Sequence, residues 1–448
     1  MKTLTINSEI FVLPYGDNYL IYLPLKSLSV LVNADTIRLL NAIQAGKDID
    51  PDLQVLKDLK HIGVFDPPQY DFKKIKFQPT SVTLLPSFVC NLKCIYCYSE
   101  GGERVCSYCD QKVSMISIEV AKKAIDFIIT NAIVLKSKKI IVGFHGGGEP
   151  MLFANKLFLE ETIHYARTQA DIFKLTLYVS AVTNGLDIEK FDIQWLKQNF
   201  NKIGISLDGP PDIQNFQRPK QGVNPDSYSG ALRAIQLFEA YGINYSIRST
   251  ITKHNVYRMR EMVEHFLQIT KLKNFHFEPL FECGRCETTK IEAPSPEEYI
   301  TYYNEASDYA ILHGAEIYFS GSTTNKISDH FCGAAGSNFF ITPDQHITTC
   351  LEACRSDEEI NQPFLIGEYN REVGDFIFDY DKIALLNSRL VTNMSGCDDC
   401  FCKFSCSGDC LIKVLKSTGN MFDITNNTRC VINKTITNFK IKKYHEKS

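Results

Sequence analysis

The chain has 448 residues, of which 44% are hydrophobic and 22% charged, an ordinary composition for a folded protein with room for two or three domains. A net charge of −4 gives no reason to expect a nucleic-acid partner. No apolar run approaches the roughly 18 residues of a membrane-spanning helix, and the first residues lack the apolar core of a signal peptide. The 16 cysteines therefore favour metal binding in a reducing cytoplasm over disulfides.

Residues 1–76 are predicted to form a small α+β domain. Two strand-like runs, residues 9–13 and 19–23, flank a turn, and two helical patterns follow at residues 35–45 and 52–61. A proline pair and a lysine-rich linker then separate this domain from the rest of the chain.

Strand and helix patterns alternate from residue 77 to residue 320. The predicted strands are residues 82–85, 139–144, 174–179, 202–207, 245–250 and 275–280. Six such units predict a parallel β/α sheet that curls into a barrel or part of one. Ligands of these sheets bind at the carboxyl ends of the strands, so motifs at those ends are the candidate site.

Three cysteines follow the first of these strands. Cys90, Cys94 and Cys97 have the spacing C-x3-C-x2-C, with Tyr96 just before the last. Three thiolates can hold three irons of a cubane iron–sulfur cluster and leave the fourth iron open to a small chelating molecule. The same spacing could hold zinc with a fourth ligand, or arise by chance in a cysteine-rich chain. The spacing alone leaves all three interpretations open.

The next four strands end in or carry residues suited to a small ligand. These residues are Gly147, Gly148, Glu149, Pro150, Asn184, Ser206, Asp208 and Arg248. Glycines at a strand end allow a ligand to approach the backbone closely. Ser206 and Asp208 offer the oxygens that a ribose diol needs, and Arg248 could pair with a carboxylate. Taken singly, each is equally compatible with a plain turn or a structural ion pair.

Taken in order, these motifs resemble the radical S-adenosylmethionine (radical SAM) superfamily over residues 80–320. The resemblance implies a partial (β/α)6 TIM-like barrel whose open iron binds S-adenosylmethionine. One electron, from a flavodoxin- or ferredoxin-type donor, then gives a 5′-deoxyadenosyl radical. The backbone near Tyr96 would meet the adenine, and Glu149 would help to hold the methionine amine.

Residues 321–448 lose the alternation and carry nine cysteines, so we expect an irregular segment folded around metals. This segment resembles the SPASM domain, which holds two auxiliary clusters. The resemblance implies an outer [4Fe-4S] cluster on Cys397, Cys400, Cys406 and Cys430. It implies an inner [4Fe-4S] cluster on Cys332, Cys350 and Cys410, with Cys354 as a candidate fourth ligand. A double zinc ribbon is the alternative, and Cys402 is surplus to both clusters.

Two further C-x2-C pairs fit neither pattern: Cys106 with Cys109, and Cys283 with Cys286. Each pair could be a redox dithiol, a metal pair or inert. Glu278 and Glu282 flank the second pair, at the mouth of the expected barrel. They are candidate substrate contacts or proton acceptors, with a structural role as the alternative.

SPASM enzymes modify peptides and proteins, and the N-terminal domain resembles the winged-helix element that binds the leader of a precursor peptide at a strand edge. The prediction is therefore a peptide maturase that installs a thioether or C–C crosslink. Its competitor is the sulfatase-maturating branch, which converts cysteine or serine to formylglycine. In that branch an aspartate base follows the second inner-cluster cysteine, whereas Leu351 and Glu352 follow Cys350. An iron–sulfur electron-transfer protein is the alternative of another class, but it has no need of nucleotide-site motifs.

Overall fold

The computed structural model describes residues 4–69, 72, 76–101, 115–324, 326–425 and 427–447. The chain divides into two compact units, and both are discontinuous in sequence. The first unit comprises Met1–Lys74, Ser320–Phe331 and Arg389–Ser448. The second comprises Ile75–Phe319 and Cys332–Ser388. The three-domain division drawn from the sequence stays a prediction.

Within the described residues, the strands are β1 (Phe11–Tyr15), β2 (Asn18–Leu23), β3 (Leu28–Val32), β4 (Ser81–Leu84), β5 (Lys139–Phe144), β6 (Thr176–Thr183), β7 (Lys202–Ser206), β8 (Tyr245–Ile251), β9 (Asn274–Pro279), β10 (Glu316–Tyr318), β11 (Phe340–Ile341), β12 (His346–Thr348), β13 (Leu365–Asn370) and β14 (Asp375–Phe378). The α-helices are α1 (Ala34–Gln44), α2 (Gln54–His61), α3 (Ile118–Val134), α4 (Lys156–Ile172), α5 (Ile193–Asn199), α6 (Pro211–Gln217), α7 (Tyr228–Tyr241), α8 (Met259–Ile269), α9 (Cys286–Thr289), α10 (Pro296–Leu312), α11 (Tyr380–Asn387), α12 (Lys403–Cys406), α13 (Leu411–Thr418) and α14 (Arg429–Lys447).

The first unit begins with an antiparallel sheet in the order β1-β2-β3. Side chains alternate between the faces of a strand, so neighbouring residues of β2 enter different cores. Ile21 packs with Leu40 of α1 and with α2, whereas Leu20 packs with Ile441 of α14. The N-terminal sheet is therefore covered by its own helices on one face and by the C-terminal helix on the other.

The second unit contains an eleven-stranded sheet in the order β10-β9-β8-β7-β6-β5-β4-β11-β12-β13-β14. Neighbours from β4 to β10 are all parallel, with helices in the connections, so the predicted parallel α/β fold is confirmed. All six predicted strands are present, and β10 adds a seventh. Residues 140, 142 and 144, which share one face of β5, are fully buried. Residue 143, on the opposite face, is also buried, as expected for a strand covered on both faces.

The C-terminal segment departs in part from the irregular structure expected of it. Strand β11 pairs in parallel with β4, and β12, β13 and β14 continue the sheet as antiparallel neighbours. Strands β11 and β12 have only two and three residues, too few for alternation to be visible in the sequence. Across the described part of the chain, no helix combines the length and apolar character needed to cross a membrane.

Candidate active site

The cysteine loop, residues 85–101, follows β4 at the carboxyl edge of the parallel sheet. One side of it runs beside the segment after α6. The Ile95 N–H donates to the Gln217 carbonyl at 3.0 Å, and the Lys93 N–H donates to the Pro219 carbonyl at 2.8 Å. These hydrogen bonds hold the loop backbone in place by main-chain contacts that do not depend on its cysteines.

The predicted glycine motif, residues 145–150, contacts the other side of the cysteine loop. The Glu149 N–H donates to the Val89 carbonyl at 2.8 Å, and the Ser99 hydroxyl donates to the Gly147 carbonyl at 2.6 Å. A Cβ atom on Gly148 would lie 2.1 Å from the Val89 carbonyl oxygen. Only glycine permits this close approach of two backbones.

Glu149 links two strand ends. Its side chain is buried, and its two oxygens accept hydrogen bonds from the Met151 N–H at 2.9 Å and the Asn184 N–H at 2.8 Å. Burial raises the pKa of Glu149 to about 7, against these hydrogen bonds, which lower it. The carboxyl group thus ties the end of β5 to the end of β6. The predicted contacts of Glu149 and Asn184 with S-adenosylmethionine stay predictions.

Asp208 lies at the centre of a buried polar network. Its side chain is fully buried and accepts hydrogen bonds from the Tyr96 hydroxyl, the Thr250 N–H at 2.9 Å and the Gln217 amide at 2.8 Å. Arg218 Nε lies 3.0 Å from the same carboxylate, and its guanidinium lies 5.2 Å from the centre of the Tyr96 ring. The network fixes Tyr96, the aromatic residue of the cysteine motif. The predicted ribose contact of Asp208 stays a prediction.

Sequence reasoning missed Arg218 and Gln217. They follow the fourth predicted strand, with Gln217 as the last residue of α6 and Arg218 directly after it, and no spacing rule marks them. The available signal was Asp208 itself, because a carboxylate at a buried strand end requires a cation or several N–H donors.

Ser206 and Arg248 are neighbours in register on β7 and β8. Ser206 is half-buried and Arg248 is exposed. Burial, together with the nearby Arg248 charge, lowers the pKa of His145, at the end of β5, to about 4. His145 is therefore neutral at pH 7, and Arg248 remains available to an anionic group. Its predicted pairing with the methionine carboxylate stays a prediction.

The two candidate glutamates have different surroundings. Glu278 is buried, with its carboxylate 3.1 Å from His276 Nε2, and the His276 ring stacks on Tyr318 at 4.6 Å. Glu282 is exposed and accepts a hydrogen bond from the Ala293 N–H at 2.7 Å. Glu278 is thus the better placed of the two for a constrained proton-transfer role, which stays a prediction for both.

The segment with the predicted inner-cluster cysteines belongs to the second unit, except for Cys410, which belongs to the first. The Thr348 hydroxyl lies 3.0 Å from the Cys350 carbonyl and 2.9 Å from the Ala353 carbonyl, which closes the turn after β12. A Cβ atom on Gly146 would lie 3.1 Å from the Tyr98 hydroxyl and 3.2 Å from Leu351 Cδ2. Leu351 therefore contacts the glycine motif, at the position where the sulfatase-maturating branch has its aspartate.

The predicted outer-cluster cysteines line one small cavity in the first unit. The cysteines around it are Cys397, Cys400, Cys402, Cys406 and Cys430. The Asn433 side-chain N–H donates to Cys406 Sγ at 3.2 Å. All four predicted ligands therefore line the same cavity, as does Cys402, which the sequence pattern left unassigned.

Buried arginines support this cavity. Arg389 is fully buried and donates to the carbonyls of Ser407, Gly408 and Asp409. Arg429, which directly precedes Cys430 in the chain, has its Nε 2.8 Å from the Asp409 carboxylate. The loop between Cys406 and Cys410 is therefore held through both its carbonyls and its acidic side chain.

The donor sets fit iron–sulfur clusters, which take thiolate ligands. Burial raises the pKa of Cys94 to about 12, so this thiol is protonated until a metal displaces the proton. Among the described residues, no group of three or more His, Cys, Asp or Glu side chains is arranged to hold a metal ion. The cluster ligands accordingly stay predictions. Cys106 and Cys109 lie outside the described residues.

Comparison with known proteins identifies the family. The model of the radical SAM superfamily matches residues 84–267. A cysteine-type anaerobic sulfatase-maturating enzyme of Clostridium perfringens is 26% identical over 295 residues, which cover 61% of this chain and 74% of the relative. The subtilosin biosynthesis protein AlbA of Bacillus subtilis is 25% identical over 189 residues, 42% of this chain and 36% of the relative.

Two solved structures share the fold. The anSMEcpe structure with bound AdoMet has a TM-score of 0.60 at 19% identity, and the match covers 82% of this chain and 97% of that one. Streptococcus suis SuiB bound to S-adenosylmethionine has a TM-score of 0.54 at 14% identity, with 95% and 99% covered. The names of the sequence relatives favour the sulfatase-maturating alternative over the predicted crosslinking reaction. The chain is a radical SAM enzyme related to these maturation proteins.

Proposed function

We propose that this enzyme oxidises a cysteine or serine side chain of a peptide or protein substrate to formylglycine. One observation carries the proposal: the cysteine loop, the glycine motif and the Asp208 network all meet at the carboxyl edge of one parallel sheet. The named relatives with this activity support the choice of reaction.

Different residues of the chain would bind the cluster, orient the cofactor and keep the site rigid. Cys90, Cys94 and Cys97 would hold the first [4Fe-4S] cluster, and residues of the glycine motif would orient S-adenosylmethionine. When bound, these two groups supply a 5′-deoxyadenosyl radical. The buried network around Asp208 keeps Tyr96 fixed, and a fixed site is what positions a radical beside one C–H bond and excludes water.

A second candidate, crosslinking of a ribosomally made peptide, is favoured by two observations. Leu351 occupies the position of the expected aspartate base, so the proton acceptor of the sulfatase-maturating branch is missing there. The three-stranded N-terminal sheet has β3 at its edge, where an extended leader could add a strand. SuiB matches 95% of this chain in fold, against 82% for anSMEcpe.

The experiment compares two substrates. Anaerobically reconstituted enzyme is reduced in the presence of S-adenosylmethionine with either a sulfatase peptide containing the target cysteine or a cysteine-rich precursor peptide encoded beside the gene. Chromatography measures 5′-deoxyadenosine, and mass spectrometry measures the peptide. Conversion of cysteine to formylglycine removes two hydrogen atoms and replaces the sulfur, which leaves as hydrogen sulfide, with the oxygen of water; the resulting aldehyde reacts with hydroxylamine. A crosslink removes two hydrogen atoms and gives no aldehyde.

Both results are decisive. An aldehyde on the sulfatase peptide supports the proposal, whereas a crosslink in the precursor peptide supports the second candidate. A variant with Cys90, Cys94 and Cys97 changed to Ala is expected to form no 5′-deoxyadenosine. If it still forms the product, this loop does not hold the radical-generating cluster.

Further partners follow from the same proposal. Two auxiliary [4Fe-4S] clusters would accept the electron left on the oxidised substrate, and a flavodoxin- or ferredoxin-type protein would supply electrons to the first cluster. Oxygen-sensitive clusters and free thiols suit the reducing cytoplasm expected from the sequence.

A further inference from the structure

The turn formed by residues 283–289 lies directly against the cysteine loop. Gly284 has a φ of +57°, and a Cβ atom there would lie 2.6 Å from the Cys97 carbonyl oxygen and 2.7 Å from the Tyr98 carbonyl oxygen. The Thr289 hydroxyl donates to the Ile95 carbonyl at 2.6 Å. The backbone of the turn therefore lies so close to the backbone of the cysteine loop that position 284 has no room for a side chain.

Arg285 makes the largest share of these contacts. Its own N–H donates to the Cys97 carbonyl at 3.0 Å. Its guanidinium donates to the Cys94 carbonyl at 2.7 Å through Nη1 and to the Gly101 carbonyl at 3.0 Å through Nη2. The Arg285 side chain thus joins the two ends of residues 94–101, the part of the loop that carries Cys94 and Cys97. The planar guanidinium of arginine can donate to two diverging carbonyls at once, and the compact ammonium of lysine cannot reproduce this geometry.

The guanidinium is also a buried positive charge beside predicted thiolates. Only 3% of Arg285 is exposed to solvent, so water screens its charge poorly. A reduced iron–sulfur cluster carries one more negative charge than the oxidised cluster, and a nearby cation stabilises the reduced state. Cluster potentials follow net charge, hydrogen bonding and solvent exposure in this way.

Cys286 does not explain the position of this turn. Cys286 is buried in an apolar cluster with Tyr96 and Leu280, and burial raises its pKa. A buried protonated thiol in apolar surroundings behaves as a small hydrophobic side chain. The hydrogen bonds from the turn to the loop carbonyls described above come from the turn backbone, Arg285 and Thr289.

We propose that Arg285 is a positioning residue that fastens the cysteine loop and makes its cluster easier to reduce. The assignment goes beyond the family motifs, because it rests on the contacts of residues 283–289 with the loop carbonyls.

The test uses three variants of the full-length enzyme. Arg285→Gln removes the charge and the fork, Arg285→Lys keeps the charge, and Lys290→Gln removes an exposed charge from the end of the same turn. The measurements are iron content, the midpoint potential of the loop cluster from a redox titration followed by electron paramagnetic resonance, and the KM and kcat for S-adenosylmethionine cleavage.

Arg285→Gln is expected to have a more negative midpoint potential and at least a tenfold lower kcat, with KM for S-adenosylmethionine changed less than twofold. Arg285→Lys is expected to recover the potential but to load less iron, and Lys290→Gln is expected to match the native enzyme. An unchanged potential in Arg285→Gln, or an equally low one in Arg285→Lys, overturns the electrostatic role.

Hydrogen exchange of the apoprotein tests the fastening role even for a variant that loads no iron. Amides of residues 94–101 are expected to exchange at least tenfold faster in Arg285→Gln than in Lys290→Gln, while amides of β5 exchange equally. Equal protection of the loop in both variants overturns the proposal. A lower yield of 5′-deoxyadenosine in Arg285→Gln, with an unchanged electron paramagnetic resonance spectrum and unchanged loop protection, also counts against the proposal. None of these measurements depends on the identity of the peptide substrate.

Discussion

Two aspartates in the same βα connection show how burial decides the value of an ion pair. Asp208 has no exposed side-chain surface and lies 3.0 Å from the largely buried Arg218. Asp212, at the start of α6, is 64% exposed and pairs with Arg258. A buried cation that loses its anion is strongly destabilised, whereas an exposed pair is well solvated after it breaks.

Asp208→Asn is expected to lower the free energy of unfolding by about 3–5 kcal/mol, because Arg218 is then buried without a carboxylate. Asp212→Asn is expected to cost about 1 kcal/mol or less, because Arg258 remains hydrated. Urea unfolding of the reduced apoprotein measures both values. Equal costs would mean that the Asp208 network contributes no more than a surface pair.

The thiols of the outer cavity also differ from one another. Burial raises the pKa of Cys397 to about 11 and that of Cys430 to about 12. The pKa of Cys400 is instead lowered to about 6, chiefly by a hydrogen bond with the Cys402 side chain. Cys400 is therefore a thiolate at pH 7 in the apoprotein, while its neighbours are protonated.

Iodoacetamide is expected to alkylate Cys400 before Cys397 or Cys430 at pH 7, because the thiolate is the reactive form. A lowered pKa keeps the thiolate at pH values above 6, so the labelling rate of Cys400 falls as the pH drops through 6. Cys402→Ala is expected to raise this transition and slow labelling at pH 7. Peptide mapping of the apoprotein by mass spectrometry gives each rate. A Cys400 rate that rises only above pH 8 contradicts the prediction.

At the scale of elements, the cysteine loop depends on the strand ends that surround it. Gly148 of the glycine motif faces the Val89 carbonyl, and both partners are backbone, so neither can rotate away. Gly204, on β7 of the same sheet, has its nearest potential Cβ neighbour at 3.4 Å, an ordinary contact. Comparing the two glycines therefore tests the steric effect of a Cβ atom at position 148 against the general effect of replacing a glycine in this sheet.

Gly148→Ala is expected to destabilise the protein by about 3 kcal/mol and to prevent iron loading of the loop, because a rigid overlap must push two strand ends apart. Gly204→Ala is expected to be neutral or slightly stabilising, because alanine lowers the entropy of the unfolded chain. Iron assay and urea unfolding of both variants check this. Full iron content in Gly148→Ala would show that the loop tolerates displacement from the glycine motif.

The parts predictable from the sequence were those with a local signal. Six strands of the parallel sheet show as apolar runs separated by helical periods, and the glycine motif shows as a cluster at one strand end. Arg218 and Arg285 have no such signal, because no spacing rule links Arg218 to Asp208 and because Arg285 acts on residues far away in sequence. Arg285 contacts Cys94 across 191 positions. Strands β11–β14 were missed because strands that complete an existing sheet depend on their neighbours more than on their own pattern.

At the scale of the molecule, the first unit is assembled from the two ends of the chain. Lys403 Nζ lies 2.9 Å from the Glu9 carboxylate, and both side chains are less than a tenth exposed. The same unit holds Ile441 against the N-terminal sheet. The N-terminal residues therefore support the segment that carries the outer cysteines. Deleting them would disturb that segment as well as any leader site.

Glu9→Gln is expected to lower the free energy of unfolding by about 3–5 kcal/mol, because it leaves the Lys403 charge buried without a carboxylate. Iron content of the outer cavity is expected to fall with it, because Lys403 follows Cys400 and Cys402 closely in the chain. The double variant Glu9→Leu with Lys403→Leu is expected to recover most of the stability, since an apolar pair of similar size fits a buried site.

Asp66→Asn is the matched control, because it breaks the exposed pair with Lys26, and it is expected to cost about 1 kcal/mol or less. Urea unfolding and iron assay are applied to all four proteins. If Glu9→Gln behaves like Asp66→Asn, the ends of the chain are held by apolar packing alone. If it loses outer-cavity iron while Asp66→Asn does not, leader binding has to be tested by point changes at the β3 edge. A truncation would then remove a structural support of the cysteine segment together with the proposed leader site.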